Sequence, residues 1–123
     1  MLNLLITNVD DHLRNHGFLH ASRGQWRLAP AFDLNPFPDK ERESKTWLSE
    51  QDGPITDLAM LKARAAWFAL NDQQATQTVA EVRQAVSAWR EVALSADVGL
   101  QRRELEDFSP AFEHGAMEES TRL

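Results

Sequence analysis

An amphipathic stripe in the second half of the chain most constrains its fold. Between positions 75 and 93, apolar side chains recur at alternating intervals of four and three residues, which places them on one face of an α-helix. Asn71 and Gln74 have the spacing of a capping box, and Gly99 follows the stripe as a stop signal. The pattern predicts a helix from Asn71 to about Gly99. The stripe consists of Ala75, Val79, Val82, Val86, Trp89 and Ala93.

Two further helices are predicted on either side of this one. The first spans residues 56–70, with Thr56 or Asp57 as its cap. The third spans residues 100–112, and Pro110 is expected to interrupt or restart it. Their apolar faces carry Leu58, Leu61, Ala65 and Phe68 in the first helix, and Leu100, Leu105, Phe108 and Phe112 in the third.

The N-terminal part of the chain shows strand and turn signals instead. Residues 17–20 and 25–28 read as two short strands, and Ser-Arg-Gly at 22–24 supplies the turn of a hairpin. Residues 45–49 are predicted to form an edge strand. Residues 2–6 are apolar, and five positions cannot decide between a short buried strand and the tail of a helix.

The remaining N-terminal segments are predicted to be loops. Residues 7–16 are rich in Asp, Asn and His, and residues 33–44 combine two prolines with a mixed-charge run from Asp39 to Glu43. The fold class is therefore α+β, mainly α, in one domain. A loop and hairpin region over 2–50 precedes a three-helix platform over 55–117.

Three expectations concern exposure. Trp67 and Trp89 have helical core spacing and should pack inside, whereas Trp47, near the proline-rich loop, should be exposed. The polar tail over 118–123 is expected to fray.

Composition narrows the function classes. A net charge of −6 argues against direct nucleic-acid binding, which needs clustered Lys and Arg. The chain has no cysteine, which excludes disulfides and suits a reducing, cytoplasmic location. Its longest N-terminal apolar run, Leu4-Leu5-Ile6, is too short to act as a signal peptide or to cross a membrane.

Three polar residues have the order of a phosphoryl-transfer site. Asp10 is followed five positions later by Asn15, and Asp33 follows the predicted hairpin. In protein kinases an Asp in the first position accepts the proton of the substrate hydroxyl, while the Asn and the later Asp bind magnesium. A lone Asp and Asn at this spacing usually serve as turn residues, so the second Asp, in the apolar context Ala-Phe-Asp-Leu, carries much of the weight.

A zinc site is an alternative reading of the same region. His12, His16 and His20 are spaced by four residues, so a helix would place their imidazoles on one face. Gly17 and the predicted strand at 17–20 argue against a helix there. The alternative interpretation makes His16 and His20 ordinary residues of the hairpin.

The longer motif is specific. Asn-x-Asp-Asp-His-x-x-Asn-His-Gly-Phe, beginning at Asn8, and Trp-Arg-Leu-Ala-Pro-Ala-Phe-Asp-Leu-Asn-Pro, beginning at Trp26, strongly resemble the C-terminal domain of HipA-like serine/threonine kinases. These kinases are the toxins of bacterial toxin–antitoxin pairs. The resemblance is strong over residues 3–37 and looser in the downstream helices, and it implies a fold like the C-lobe of a kinase.

The resemblance implies a role for each matching residue. Asp10 matches the catalytic Asp, and His12 matches a His that would donate to the phosphate or to Asp10. Asn15 and Asp33 match the Mg²⁺ ligands, with ATP bound only in the intact kinase. The implied partners are a protein substrate carrying the acceptor hydroxyl, such as an aminoacyl-tRNA synthetase, and an antitoxin protein.

The 123 residues contain no glycine-rich phosphate loop and no strand lysine ahead of Asp10. The expected reading is therefore the catalytic-loop portion of a HipA-like kinase, inactive alone and dependent on a missing N-terminal ATP-binding lobe. The alternative is a degenerate, non-catalytic interaction module. It would bind a toxin–antitoxin partner or form a homodimer through an exposed apolar segment at Leu2, Leu4 and Leu5.

Overall fold

Helix α3, Asp72–Ser87, is the longest element of the computed structural model, which describes residues 1–39 and 43–123. Its N-terminus is closed by the predicted capping box. The side chain of Asn71 accepts from the amide of Gln74, and the side chain of Gln74 accepts from the amide of Asn71, both at 2.9 Å. This reciprocal pair satisfies two amides that the helix itself cannot.

The described residues form an α+β fold that is mainly helical, as predicted. The other helices are α1 Leu2–Leu5, α2 Leu58–Ala63, α4 Trp89–Leu94, α5 Leu105–Phe112 and α6 Gly115–Glu119. Two antiparallel pairs of strands complete the fold: β1 Phe18–Ser22 with β2 Gln25–Leu28, and β3 Trp47–Ser49 with β4 Gly53–Pro54.

The core lies where α1 and α2 meet α3. It is built from Leu5, Ile6, Leu58, Val79 and Val86. Leu5 is completely buried and Leu4 packs against this cluster, so the expected exposure of both is wrong, and only Leu2 is exposed, at 36%. Of the two readings left open for this segment, the structure adopts the helix.

The predicted stripe of α3 is largely confirmed, but its helix is not continuous. Ala75, Val79 and Val86 are buried on α3, and Trp89 is buried at the start of α4. The helix breaks at Ala88, where the amide donates to carbonyls three and two residues back instead of four. The tighter turn lets Trp89 stack on Phe112 at 4.5 Å, with ring planes 6° apart.

The first predicted helix is also shorter than expected. Asp57 is its cap, accepting from the amide of Met60, but α2 ends at Ala63 and a 3₁₀ turn covers 65–68. Ala69 then adopts a left-handed conformation, φ 56°. The chain has to change direction before Asn71 caps α3, and a helix that continued to residue 70 would leave no residues for that turn. Trp67 and Phe68 are consequently 57% exposed, contrary to the prediction, whereas Trp47 is exposed as predicted.

Pro110 lies inside α5 and does not interrupt it, contrary to expectation. Proline has no amide hydrogen for the carbonyl of Glu106, four residues earlier. The hydroxyl of Ser109 donates to that carbonyl at 3.1 Å. The carbonyl is therefore satisfied and the helix continues through the proline.

The C-terminal tail is docked and not frayed. The carboxylate of Glu119 accepts from the amides of Leu58 and Ala59 at 3.2 and 3.0 Å, and Ser120 is buried. The carbonyl of Leu123 accepts from the side chains of Lys62 and Thr76, and its side chain packs on the core. Residues far apart in sequence thus cap the first turn of α2, which sequence periodicity could not reveal.

Both strand regions are placed as predicted, and the hairpin is confirmed. The expected edge strand at 45–49 is shortened to β3 and pairs with β4, which contains the Gly-Pro expected to be a boundary. The predicted loop over 33–44 includes residues 40–42, which lie outside the described residues. Across the described part of the chain, no helix has the length and apolarity needed to traverse a membrane.

The docking of Glu119 on α2 can be tested by substitution. Glu119→Ala should reduce the free energy of unfolding by about 1 kcal/mol, because two amides at a helix N-terminus lose a charged acceptor. Urea unfolding measures the change. Glu118→Ala in the same helix is the matched control and should have little effect. Equal losses for the two variants would contradict this account.

The pair formed by Asp52 and Arg64 predicts a pH dependence. The guanidinium donates to both carboxylate oxygens of Asp52, at 3.0 and 2.6 Å, and this hydrogen bonding, with that from Ser49, lowers the pKa of Asp52. Because the folded pKa lies below the unfolded one, the stabilisation is complete above the unfolded value. It is lost as the pH falls through the folded value.

Asp52→Asn should therefore destabilise the protein near pH 7, and the difference in free energy of unfolding should shrink below about pH 4. Urea unfolding at several pH values measures this difference, with Asp97→Asn as a control at an exposed carboxylate. A difference that stays constant from neutral to acid pH would show that Asp52 stabilises the fold by other means.

Candidate functional site

The polar loop after α1 is held in place by its first two residues, Thr7 and Asn8. Thr7 has a left-handed backbone, φ 53°, and its hydroxyl donates to the carbonyl of Ala111 at 2.9 Å. Asn8 is buried, and its amide side chain donates to the side chain of Asn3 at 3.0 Å. The backbone therefore leaves the helix in one defined direction, toward the predicted catalytic residues.

Asp11 is the buried centre of the loop. Its carboxylate accepts from the side chain of Asn3 at 2.6 Å, lies 2.9 Å from the ring of His16, and approaches the hydroxyl of Thr46 at 3.4 Å. A buried carboxylate is tolerated only when it is paired and hydrogen-bonded in this way. Asp11 thus orients the loop. In the sequence, this role is signalled only by the presence of a second Asp directly after Asp10, and the motif alone does not reveal it.

The neighbouring Asp10 has a side chain that is 44% exposed. The ammonium of Lys45 contacts its Oδ1 directly. The backbone amide of Lys45 also donates to the carbonyl of Val9 at 3.2 Å, and the hydroxyl of Thr46 donates to the carbonyl of Asp11 at 2.9 Å. The segment before β3 therefore holds the loop in place through hydrogen bonds. Lys45 is a candidate functional residue that the sequence analysis did not identify.

Asn15 and Asp33 lie in contact. Asn15 ends a 3₁₀ turn, Leu13–Asn15, and is 6% exposed. Its side-chain nitrogen donates to Oδ2 of Asp33 at 2.6 Å, and Asn35 donates to Oδ1 at 2.8 Å. Asp33 has a left-handed backbone, φ 57°, an unfavourable conformation for most residues that Asp tolerates better. The hairpin returns the chain so that the two residues meet.

The free oxygen of Asn15 provides a test of whether the pair suits a metal ion. Its Oδ1 is buried and has no hydrogen-bond partner in the described part of the chain. A buried amide oxygen without a partner is costly. Mg²⁺ prefers hard oxygen ligands and completes its octahedron with phosphate and water. The amide oxygen of Asn15 and the carboxylate of Asp33, whose side chains are joined through the Asn15 nitrogen, are therefore donors of the kind that Mg²⁺ prefers.

His12 lies on a different side of the loop. It precedes the 3₁₀ turn, and its Nδ1 is buried with no hydrogen-bond partner among the described residues. It lines an opening of about 650 Å³ together with Arg14, His16, Lys45 and Trp47. Asn15 lines a separate cavity of about 260 Å³ beside Phe32 and Leu34. His16 lines both spaces.

The histidine spacing does not form a zinc site. His12 and His16 flank the 3₁₀ turn, and His20 lies on β1, where it contacts the ring of Trp26 edge-on at 5.2 Å. A helix that would align the three rings is absent from residues 12–20. Within 1–39 and 43–123, no three His, Cys, Asp or Glu side chains are grouped to bind a metal.

One family of known proteins matches the part of the chain that contains this site. The family model of the HipA-like C-terminal domain matches residues 1–89, which include the whole loop, the hairpin, Asp33 and Lys45. No curated protein and no solved structure gave a match. The family match, which extends well beyond the motif itself, covers more than half of the chain. The chain therefore belongs to the HipA-like C-terminal domain family, in the context of toxin kinases from toxin–antitoxin pairs.

Proposed function

We propose that the chain is the catalytic-loop portion of a HipA-like protein serine/threonine kinase, which transfers the γ-phosphate of ATP to a protein hydroxyl. The observation that carries this proposal is the contact between Asn15 and Asp33, with the buried oxygen of Asn15 left without a partner. Family membership supports the same reading.

Asn15 and Asp33 would hold Mg²⁺ through the amide oxygen and the carboxylate. The ion would neutralise charge that develops on the phosphate oxygens during transfer. The hairpin brings the two side chains into contact, and the hydrogen bond from Asn35 would orient the carboxylate of Asp33 for this role. Binding by the chain alone should be weak, since two ligands leave most of the coordination sphere to other groups.

Asp10 would act as the proton acceptor. The hydroxyl oxygen of the substrate forms the new bond to phosphorus, its proton passes to the carboxylate of Asp10, and the ADP oxygen leaves. The ammonium of Lys45 contacts the same carboxylate, so Lys45 would lie beside the site of proton transfer. His12 lines the same opening as Lys45, which supports a role in which its ring would donate to a phosphoryl oxygen that enters there.

The nucleotide-binding residues are proposed to lie in another polypeptide segment. The 123 residues contain no glycine-rich phosphate loop and no strand lysine ahead of Asp10. An N-terminal lobe, joined to this chain or separate from it, would supply them. A protein substrate and an antitoxin would be the other partners. We place the protein in the cytoplasm on the basis of the family context and the lack of cysteine.

Metal binding at Asn15 and Asp33 can be tested with Mn²⁺ as a paramagnetic probe. Millimolar Mn²⁺ should broaden the amide NMR signals around both residues. Asp33→Asn should weaken the effect by about tenfold or more, because it removes the charged ligand while Asn tolerates the left-handed backbone. Asp97→Asn is the matched control. Equal broadening in all three proteins would refute the metal site.

Phosphoryl transfer can be tested by supplying an ATP-binding lobe from a HipA-like kinase. The isolated chain should show negligible ATP turnover, since positioning of the phosphates contributes several powers of ten. The combined protein should transfer phosphate to a protein substrate, and Asp10→Asn should lower the rate about 10²- to 10⁴-fold. Asp97→Asn should leave it unchanged. Full activity after Asp10→Asn would overturn the proposed role.

A non-catalytic interaction module is a second candidate function. The observation that favours it is the exposure of large apolar side chains on the hairpin, including Phe18 at 67% and Trp26 at 65%. Such patches commonly mark interaction sites. A chain that binds partners through the hairpin but shows neither Mn²⁺ binding nor activity with a supplied lobe would support this candidate over the first.

A further inference from the structure

One face of the hairpin is apolar and uncovered. In the register of the two strands, Phe18 lies opposite Leu28 and His20 lies opposite Trp26. Side chains alternate along a strand, so these four residues share one face. Phe18, Trp26 and Leu28 are 67%, 65% and 63% exposed, and every residue of both strands is exposed. An isolated two-stranded hairpin is marginal in water and gains stability when such a face is covered.

The hairpin segment differs in charge from the rest of the chain. Residues 12–32 contain three Arg and three His and no acidic residue. The rest of the chain contains all 19 Asp and Glu residues but only ten of the 13 Lys and Arg residues. The apolar face is therefore carried on a basic segment in an otherwise strongly acidic protein, and an acidic surface would complement it.

The chain itself presents such a surface. An open apolar groove of about 400 Å³ lies between α3, α4 and α5, lined by Leu2, Val92, Val98, Phe108 and other apolar side chains. Val92 and Val98 are 55% and 52% exposed. Residues 90–113, which form much of its wall, contain six acidic residues and three Arg, and Arg90 pairs with two of the six, Glu106 and Glu113. The groove is concave and apolar and the segment that forms much of its wall is acidic, whereas the hairpin is apolar and basic.

We propose that the hairpin of one chain docks in the α3–α4–α5 groove of a second copy, with Trp26 and Phe18 seated against Val92 and Val98. In a two-fold dimer each copy gives one hairpin and receives one, so both surfaces are used and no open chain of molecules results. This inference concerns different residues from the proposed catalysis and does not depend on it.

The size of the surfaces suits a modest dimer. A fully buried aromatic side chain covers roughly 150–250 Å². Two hairpins and two groove walls together remove on the order of 1,000 Å² from water, near the lower limit for a specific interface. Part of the favourable free energy is spent on association itself. We expect a dissociation constant in the micromolar range that weakens as salt screens the opposed charges.

Multi-angle light scattering of the full chain over a range of concentrations tests the proposal. The mass should rise from 14.0 kDa toward twice that value. Trp26→Ser in the hairpin and Val92→Lys in the groove should each shift dimer formation to at least tenfold higher concentration. Trp67→Ser, at a tryptophan 57% exposed and outside both surfaces, is the matched control and should dimerise normally. Circular dichroism should show all variants folded.

Mixing the two variants makes the test specific. A Trp26→Ser chain keeps its groove and a Val92→Lys chain keeps its hairpin, so the mixture should form more dimer than either variant alone. A chain that stays monomeric at millimolar concentration would overturn the proposal. Normal dimerisation of Val92→Lys would also overturn it. That result would show that dimers form without the groove, for example by one hairpin pairing with another. Loss of dimer in Trp67→Ser would place the interface elsewhere.

Discussion

The packing of a four-residue helix on α3 is the contact on which the rest of the structure depends. Leu5 of α1 is completely buried and belongs to the same cluster as Val79 and Val86. A helix this short has no stability of its own in water, so its burial holds it in place. Because the polar loop starts at the next turn, this apolar contact sets where that loop begins.

Polar contacts then convert that anchor into a defined loop. Asp11 is buried. Its carboxylate accepts from Asn3 of α1 and lies against His16 of the loop, and its backbone carbonyl accepts from Thr46 before β3. Removing one partner would leave part of a buried carboxylate unpaired, which is costly. The neighbouring Asp10 is partly exposed and contacts Lys45. The two adjacent carboxylates therefore lie in different surroundings.

Parts of the site and fold could be read from local patterns. Asn15 and Asp33 meet because the predicted hairpin between them forms with the expected strands. The capping box at the start of α3 and the cap at Asp57 were also predicted correctly, since each acts over three residues. The family resemblance was confirmed by the match over residues 1–89. Each of these features depends on chemistry within a short stretch or on a specific motif.

The sequence by itself determined the helical stripe, the hairpin turn and the order of the polar motif, because backbone geometry and capping act locally. Only the tertiary structure decided that Lys45 contacts Asp10, that Glu119 caps α2 and that Trp67 is exposed. These outcomes join residues separated by tens of positions or depend on where the chain reverses. The physical reason is that burial and charge pairing depend on neighbours in space, and spacing along the chain does not specify them.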